Sequence, residues 1–205
     1  MALSPERLGI LGGTFNPVHM AHLILAQEAW YRFELKRVVF VPAAQNPLKT
    51  EPPEGATPVQ RLKMLELATG QDARITIDAR DLRHGGPSYM IDTLQRLRSR
   101  SPEAELFLLL GADSALTLPQ WKDVQAYREL CTVVVCNRPG EQDLAPALPQ
   151  ELLDLGLRME FMPLPLLEVS ASDIRRRVRV GRPIRYLVPD AVAAFIHEHG
   201  LYDTD

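Results

Sequence analysis

Arg7-Leu8-Gly9-Ile10-Leu11-Gly12-Gly13-Thr14-Phe15-Asn16-Pro17-Val18-His19-Met20-Ala21-His22 is the stretch from which the fold of this 205-residue chain is read. Arg7 to Leu11 is a short apolar run ending in two glycines, as a buried strand does. Residues 17 to 33 then carry Val18, Ala21, Leu25 and Ala29 at helical spacing, so the strand leads into a helix. Gly12 and Gly13 let the chain turn sharply and let a ligand approach the backbone. Asn16 suits the cap of that helix and Pro17 its first turn. His19 then falls by the exposed amides of the first turn, with His22 one turn on and on the same face. A helix start with free N–H groups attracts anions, and two imidazoles add directed donors for phosphate oxygens.

Further along, Val38 to Val41 is a second strand closed by Pro42, and residues 43 to 57 form a Pro-rich loop. The pattern predicts a helix over Pro58 to Thr69 with Leu62 and Leu65 on one face. It predicts a strand over Arg74 to Asp78 and a helix over Ser88 to Ser99, with Ile91, Leu94 and Leu97 in register. Leu106 to Leu110 and Cys131 to Cys136 are almost wholly apolar, as strands covered on both faces are. Residues 139 to 150 read as a surface excursion and Leu157 to Met162 as a weaker strand. Helices follow around 172–179 and 190–198, the last striped by Val192, Phe195 and Ile196 and stopped by Gly200. Strands alternating with helices imply an α/β fold with a doubly wound parallel sheet. Ligands of such sheets bind beyond the carboxyl ends of the strands, where the strand order reverses. With no repeat, low-complexity tract or linker, residues 1–205 read as a single domain whose C-terminal helical portion begins near 170.

A formal net charge of −3, with 46% hydrophobic and 24% charged residues, is ordinary globular composition. It supplies no global basic field for nucleic acid or an anionic membrane, so a phosphate ligand needs a local site. Cys131 and Cys136 would lie on opposite faces of a strand, roughly 16 Å apart along it. That is too far for a disulfide, and they read as buried thiols of a reducing compartment. No segment has the length and apolarity of a signal peptide or membrane span, and a cytoplasmic location is expected. Monomer and homo-oligomer both stay open.

The first loop fits neither G-x-G-x-x-G nor G-x-x-x-x-G-K-[ST], and no H-E-x-x-H zinc helix is present. A bare H-x-x-H would be a plain turn with two satisfied histidines; the Gly-Gly before it and the Asn-Pro start weigh toward phosphate. Gly12 to His22 resembles the signature of the nucleotidylyltransferase superfamily with its H-x-G-H motif, Ala21 standing where Gly is usual. Gly86-Pro87-Ser88-Tyr89-Met90-Ile91-Asp92, Leu110-Gly111-Ala112-Asp113-Ser114, Leu118-Pro119-Gln120-Trp121, Asn137-Arg138-Pro139 and Val169-Ser170-Ala171-Ser172-Asp173-Ile174-Arg175 are similar to bacterial nicotinate mononucleotide adenylyltransferases, in order along the chain.

The resemblance implies a Rossmann-like nucleotidyltransferase fold and adenylyl transfer from ATP, arriving with Mg²⁺, to nicotinate mononucleotide in NAD biosynthesis. It implies His19, His22 and Arg175 as the catalytic groups. ATP would also meet Gly12, Gly13, Thr14, Phe15, Lys49, Gly111, Asp113, Ser170 and Ser172. The acceptor would meet Pro87, Ser88, Tyr89, Met90, Trp121, Lys122 and Arg138. No carboxylate cluster for a protein-built metal site is evident. The physics of each residue type agrees. Asp113 past a buried strand suits a ribose hydroxyl or a helix cap, and Trp121 offers a face for a pyridine ring or simple packing. Arg175 would lie in the first turn of a helix preceded by Ser170 and Ser172. Together with Arg176, Arg177 and Arg179 it also has the look of a solvated face.

Three positions depart from the family: Leu48 replaces a His before Lys49, Met90 a frequent Thr, and Lys122 a frequent Tyr. The rival acceptors are nicotinamide mononucleotide and phosphopantetheine. The rival class is a non-catalytic nucleotide-binding or RNA-binding regulator, which would have lost His19, His22 or Arg175.

Overall fold

The computed structural model of the chain describes residues 5–48, 55–137, 150–165 and 168–203. Its strands are β1 (Arg7–Gly13), β2 (Arg37–Pro42), β3 (Ile75–Ile77), β4 (Glu105–Gly111), β5 (Thr132–Asn137) and β6 (Met159–Pro163). The helices before β4 are α1 (Met20–Arg32), α2 (Pro58–Thr69), α3 (Arg80–His84) and α4 (Met90–Arg100). Those after it are α5 (Ala112–Leu116), α6 (Tyr127–Leu130), α7 (Gln150–Leu153), α8 (Ala171–Arg179) and α9 (Asp190–Glu198). The sheet order is β3-β2-β1-β4-β5-β6. This is the doubly wound α/β arrangement expected, and its order reverses between β1 and β4.

The chain divides into two compact units. One comprises Met1–Gly12, Leu25–Val39 and Tyr89–Leu166; the other comprises Gly13–Ile24, Phe40–Ser88 and Leu167–Asp205.

In the first unit, β4 pairs in parallel with β1 and β5, and β5 with β6. Leu106 to Leu110 and Val133 to Cys136 are all buried, so both faces of these strands are covered and no alternation survives in the sequence. Edge strand β6 is only partly buried, which accounts for its weaker apolar signal. Gly9 lies opposite Phe107 in the register. A Cβ on Gly9 would stand 2.7 Å from Leu35 and 3.3 Å from both Leu109 and Val38. Both cysteines are free and buried, and burial pushes each thiol up to about 12.

In the second unit, α2 has the bounds read from the sequence. The Thr57 hydroxyl accepts from the Gln60 N–H, the Gln60 side chain accepts from the Thr57 N–H, and Pro58 occupies the first turn. Ser170 caps α8 by accepting from the Asp173 N–H at 3.1 Å. α9 buries Val192 and Ile196, and beyond it Gly200 adopts a φ of 55° while the Leu201 N–H donates to Ile196 O.

Two helices begin later than the periodicity suggests: α1 at Met20 instead of residue 17, and α4 at Met90 instead of Ser88. Helices α3, α5, α6 and α7 run four or five residues each, too short to leave a 3.6-residue repeat. The excursion read at 139–150 lies outside the described residues up to 149, and Gln150 opens α7. No helix of the described residues is long and apolar enough to cross a membrane.

Replacing Gly9 by Val forces a branched side chain onto Leu35, Val38 and Leu109, and stability in urea denaturation should fall by about 1–3 kcal/mol.

Candidate active site

In the second unit the turn after β1 is built from backbone groups held by distant side chains. Phe15 is buried with a φ of 49°, a left-handed conformation that costs a non-glycine residue roughly 1–2 kcal/mol. Its ring packs against Phe40 at 5.4 Å between centroids and edge-on to His22 at 4.9 Å. A Cβ on Gly13 would press the Phe15 ring at 3.2 Å, so the glycine leaves room for that ring. The Asn16–Pro17 peptide is cis. Asn16 is buried; its carbonyl accepts from Arg175 Nη1 at 2.8 Å, and its Oδ1 accepts from the Tyr202 hydroxyl at 2.8 Å and the Ala56 N–H at 3.3 Å.

This corrects the expected helix start. Asn16 does not cap α1, and Pro17 is not in its first turn, because the side chain that would cap is taken by Tyr202 and Ala56. His19 instead precedes the first helical residue. Three of the amides here are engaged: the His19 N–H donates to His22 Nδ1 at 3.2 Å, Met20 N–H to Leu187 O at 2.9 Å, and His22 N–H to His19 O at 3.0 Å. What this turn offers an anion is therefore side chains more than a bare helix terminus. The two imidazoles stack at 3.7 Å between centroids, on one face as expected.

The hydrogen bond into His22 Nδ1 makes that atom an acceptor, so the proton of the neutral ring sits on Nε2. Burial lowers the His19 pKa to about 4, and burial together with its neighbour holds His22 well below its usual 6.5. Both rings are thus neutral near pH 7. His19 Nδ1 is buried without a hydrogen-bond partner among the described residues.

Arg175 reaches this turn from α8, and its Nη2 lies 3.4 Å from Ser172 Oγ. The helix starts at Ala171, so Ser172 is in its first turn and Arg175 in its second, one turn later than expected. The Ser170 hydroxyl is engaged as the cap. Arg176 and Arg177 turn to Asp173 on their own helix, as a solvated face would. Pro87 and Ser88 lie before α4 and not in it. Pro87 bridges to Gln45, the Ser88 hydroxyl accepts from the Ala44 N–H at 2.9 Å, and the Ser88 N–H donates to Gln45 O at 3.0 Å.

Arg61 was not singled out from the sequence. It is fully buried, donating Nη1 to Thr14 O at 2.6 Å and Ala43 O at 2.7 Å, and Nη2 to Ala44 O at 3.2 Å. The signal was present: position 61 lies one turn before Leu65 on the buried face of α2, where a cation needs a reason to be.

In the first unit, the Met90 methyl occupies the space that a Cβ on Gly12 would take. Tyr89 directly precedes α4, and the Lys122 ammonium stands 4.6 Å over its ring and 3.4 Å from Asp92 Oδ1. Trp121 donates its indole N–H to Thr117 Oγ1 at 3.1 Å and meets Tyr127 edge-on at 6.2 Å, which leaves it half-buried. Gly111, not Asp113, takes the cap position of α5; Asp113 is exposed in the first turn. Lys49 and Arg138 lie outside the described residues.

Residues 10–177 match the cytidylyltransferase-like family. The chain is 40% identical over 197 residues to a protein of Herpetosiphon aurantiacus named as a probable nicotinate-nucleotide adenylyltransferase, covering 96% of this chain and 98% of that one. A protein of the same name from Thermomicrobium roseum is 42% identical, with 97% of this chain and 92% of that one covered. Among solved structures, the nicotinic acid mononucleotide adenylyltransferase of Plasmodium falciparum complexed with NaAD is similar in fold. Its TM-score is 0.76 at 16% identity, over 98% of each chain.

Because unfolding returns the two imidazoles to their usual pKa of 6.5, the unfolded chain binds more protons than the folded one below that pH. Stability contributed by these sites is therefore present above pH 6.5 and is lost as pH falls toward 4, by up to about 1.4 kcal/mol per pH unit for each proton. The ring proton resonances of His19 and His22 should stay flat from about pH 7.5 to about 5.5 in the ligand-free protein. A midpoint near 6.5 for either ring would contradict their neutrality. Tyr202→Phe removes a hydrogen bond to buried Asn16 Oδ1 and should lower stability in urea by about 1 kcal/mol.

Proposed function

The chain belongs to the cytidylyltransferase-like family and, within it, to the nicotinate-nucleotide adenylyltransferases, and on that premise we propose that it transfers the adenylyl group of ATP to nicotinate mononucleotide. The products are nicotinate adenine dinucleotide and pyrophosphate, a step of NAD biosynthesis. The end-to-end match with relatives of that name carries the choice of acceptor. The geometry of His19, His22 and Arg175 supports the chemistry.

A bond forms between a 5′-phosphate oxygen of the mononucleotide and the α-phosphorus of ATP. The bond from that phosphorus to the bridging oxygen of the β-phosphate breaks, and pyrophosphate leaves with the electron pair. A phosphate monoester loses its second proton near pH 6, so the attacking oxygen is already anionic and needs no general base. Catalysis then rests on alignment and on donors aimed at the phosphoryl oxygens. His22 is suited to this as a neutral ring whose Nε2–H donates while Nδ1 is tied to the His19 N–H. Arg175 has five N–H donors, and its bonds to Asn16 O and Ser172 leave others for phosphate. Gly12 to Phe15, Lys49, Gly111, Asp113 and Ser172 are assigned to ATP. Ser88, Tyr89, Met90, Trp121, Lys122 and Arg138 are assigned to the acceptor.

Mg²⁺ is assigned to ATP as part of the substrate, where it neutralises phosphate charge. Among the described residues no three His, Cys, Asp or Glu side chains group as a cage for it. The polar groups around the first turn are imidazoles and a guanidinium, which pair with phosphate oxygens and not with the ion.

Pyrophosphate release from ATP should be fastest with nicotinate mononucleotide among nicotinate mononucleotide, nicotinamide mononucleotide and phosphopantetheine. A preference of about tenfold or more for the amide would overturn the acceptor assigned here. His22→Ala should fold and lose about 10²–10³ in turnover, the cost of one donor at a charged transition state.

A further inference from the structure

Arg61 is a cation with no exposed surface, and its described partners are three backbone carbonyls and no carboxylate. Its Nε is buried without a partner among the described residues. Such burial is costly, so packing alone explains it poorly; Met64 and Leu65 beside it show that apolar side chains fit this face of α2. The three carbonyls share a location. Thr14 is the first residue after β1, and Ala43 and Ala44 are the first two after β2, so all lie at carboxyl ends of strands. Other bonds tie the same segments together: the Ala43 N–H donates to Gly13 O at 2.9 Å, and the Ala44 N–H to Ser88 Oγ. A planar guanidinium reaches three acceptors from one rigid fork, whereas an ammonium on a flexible stem does not fix their directions.

A peptide plane that points its carbonyl one way points its N–H the other. With Thr14 O turned onto Arg61, the N–H of Phe15 faces away from α2. We propose that Arg61 is a positioning residue for adenylyl transfer: through the Thr14–Phe15 peptide it sets the turn that presents His22 and the Phe15 N–H to the triphosphate. It acts through the turn and does not itself touch the substrate. The Phe15 ring packs edge-on to His22, so a shift of this peptide is passed to the imidazole.

The inference rests on the proposed function for its reaction, and the test separates the two. Arg61→Lys keeps the charge and most of the stem but loses the fork; Arg61→Ala loses all three. Thermal unfolding, turnover and calorimetric ATP affinity are measured on wild type and both variants. Arg61→Lys should unfold within a few degrees of wild type and yet lose about 30–100-fold in kcat, the scale of a displacement of about 1 Å at reacting groups. Guanidinium ion at millimolar concentration should restore Arg61→Ala by about tenfold or more, and methylammonium should not, because only the former has the planar fork.

A folded Arg61→Lys with kcat within about threefold of wild type would overturn the proposal, since charge or bulk would then suffice. It is equally overturned if the activity of each variant merely follows its folded fraction, or if neither variant folds, which makes Arg61 a structural staple. Should wild type fail to use nicotinate mononucleotide, the proposed acceptor falls instead. Arg61 is then judged on ATP affinity, expected to be about tenfold weaker in folded Arg61→Lys and counted against the proposal if unchanged.

Discussion

The turn after β1 is set by what holds Asn16. Its carbonyl is bound by a guanidinium 159 residues away and its side chain by a phenol 186 residues away. A buried amide leaves few ways to satisfy its polar atoms, so both partners matter to its conformation. Phe15 sits beside it in a left-handed conformation that local preference disfavours, and such strain persists only where surrounding contacts outweigh it. Gly55 shows how closely the far end of the chain is fitted here: with a φ of 97°, its missing Cβ would fall 2.6 Å from the Tyr202 ring. The position of His19 and His22 follows from this frame, because α1 starts only once the turn is complete.

The imidazole pair is poised by exclusion of water and not by a charge partner. Burial is the first cause of depression for both rings, and at His22 the neighbouring His19 adds to it. Protonating His22 at Nδ1 would also remove the acceptor of the His19 N–H. A neutral pair of donors costs less to bury than two imidazolium ions, and it gains most when an anion arrives to align with it.

Much of this was legible in the sequence where the causes are local. The bounds of α2 agree to the residue, and their cause is local, since Thr57, Pro58 and Gln60 form a capping box within four positions. Central strands β4 and β5 came from apolar runs that burial on both faces requires. The placement of His19 and His22 on one face was legible too, whereas the stacking of their rings was not. The start of α1 was not, since Asn16 looks like a cap until Tyr202 and Ala56 claim its oxygen from elsewhere in the chain. Ser88 was placed inside α4 by periodicity, while its hydroxyl is held by Ala44 from a loop 44 residues earlier. Arg61 is not marked by the apolar pair Leu62 and Leu65. The helical stripe through 61, 64, 65 and 69 is the one that is buried.

What separates the cations of this chain is the kind of partner each has found. Arg176 and Arg177 lie against Asp173, a carboxylate on their own helix that offsets their charge and is itself held below its usual pKa by them. Arg175 and Arg61 are bound to carbonyls, which orient a guanidinium without neutralising it. Arg175 keeps its full formal charge for a further anion while Arg61, fully buried, is closed to one, so the run from Arg175 to Arg177 divides into spent and available members. Lys122 falls between the two. Its partner Asp92 is a carboxylate, but both side chains are about half exposed, at 44% and 54%, and such pairs are worth under about 1 kcal/mol. The Tyr89 ring holds the ammonium independently of that pair. An arriving carboxylate therefore competes with Asp92 at small cost, whereas one arriving at Arg177 would have to displace a short, partly shielded bond.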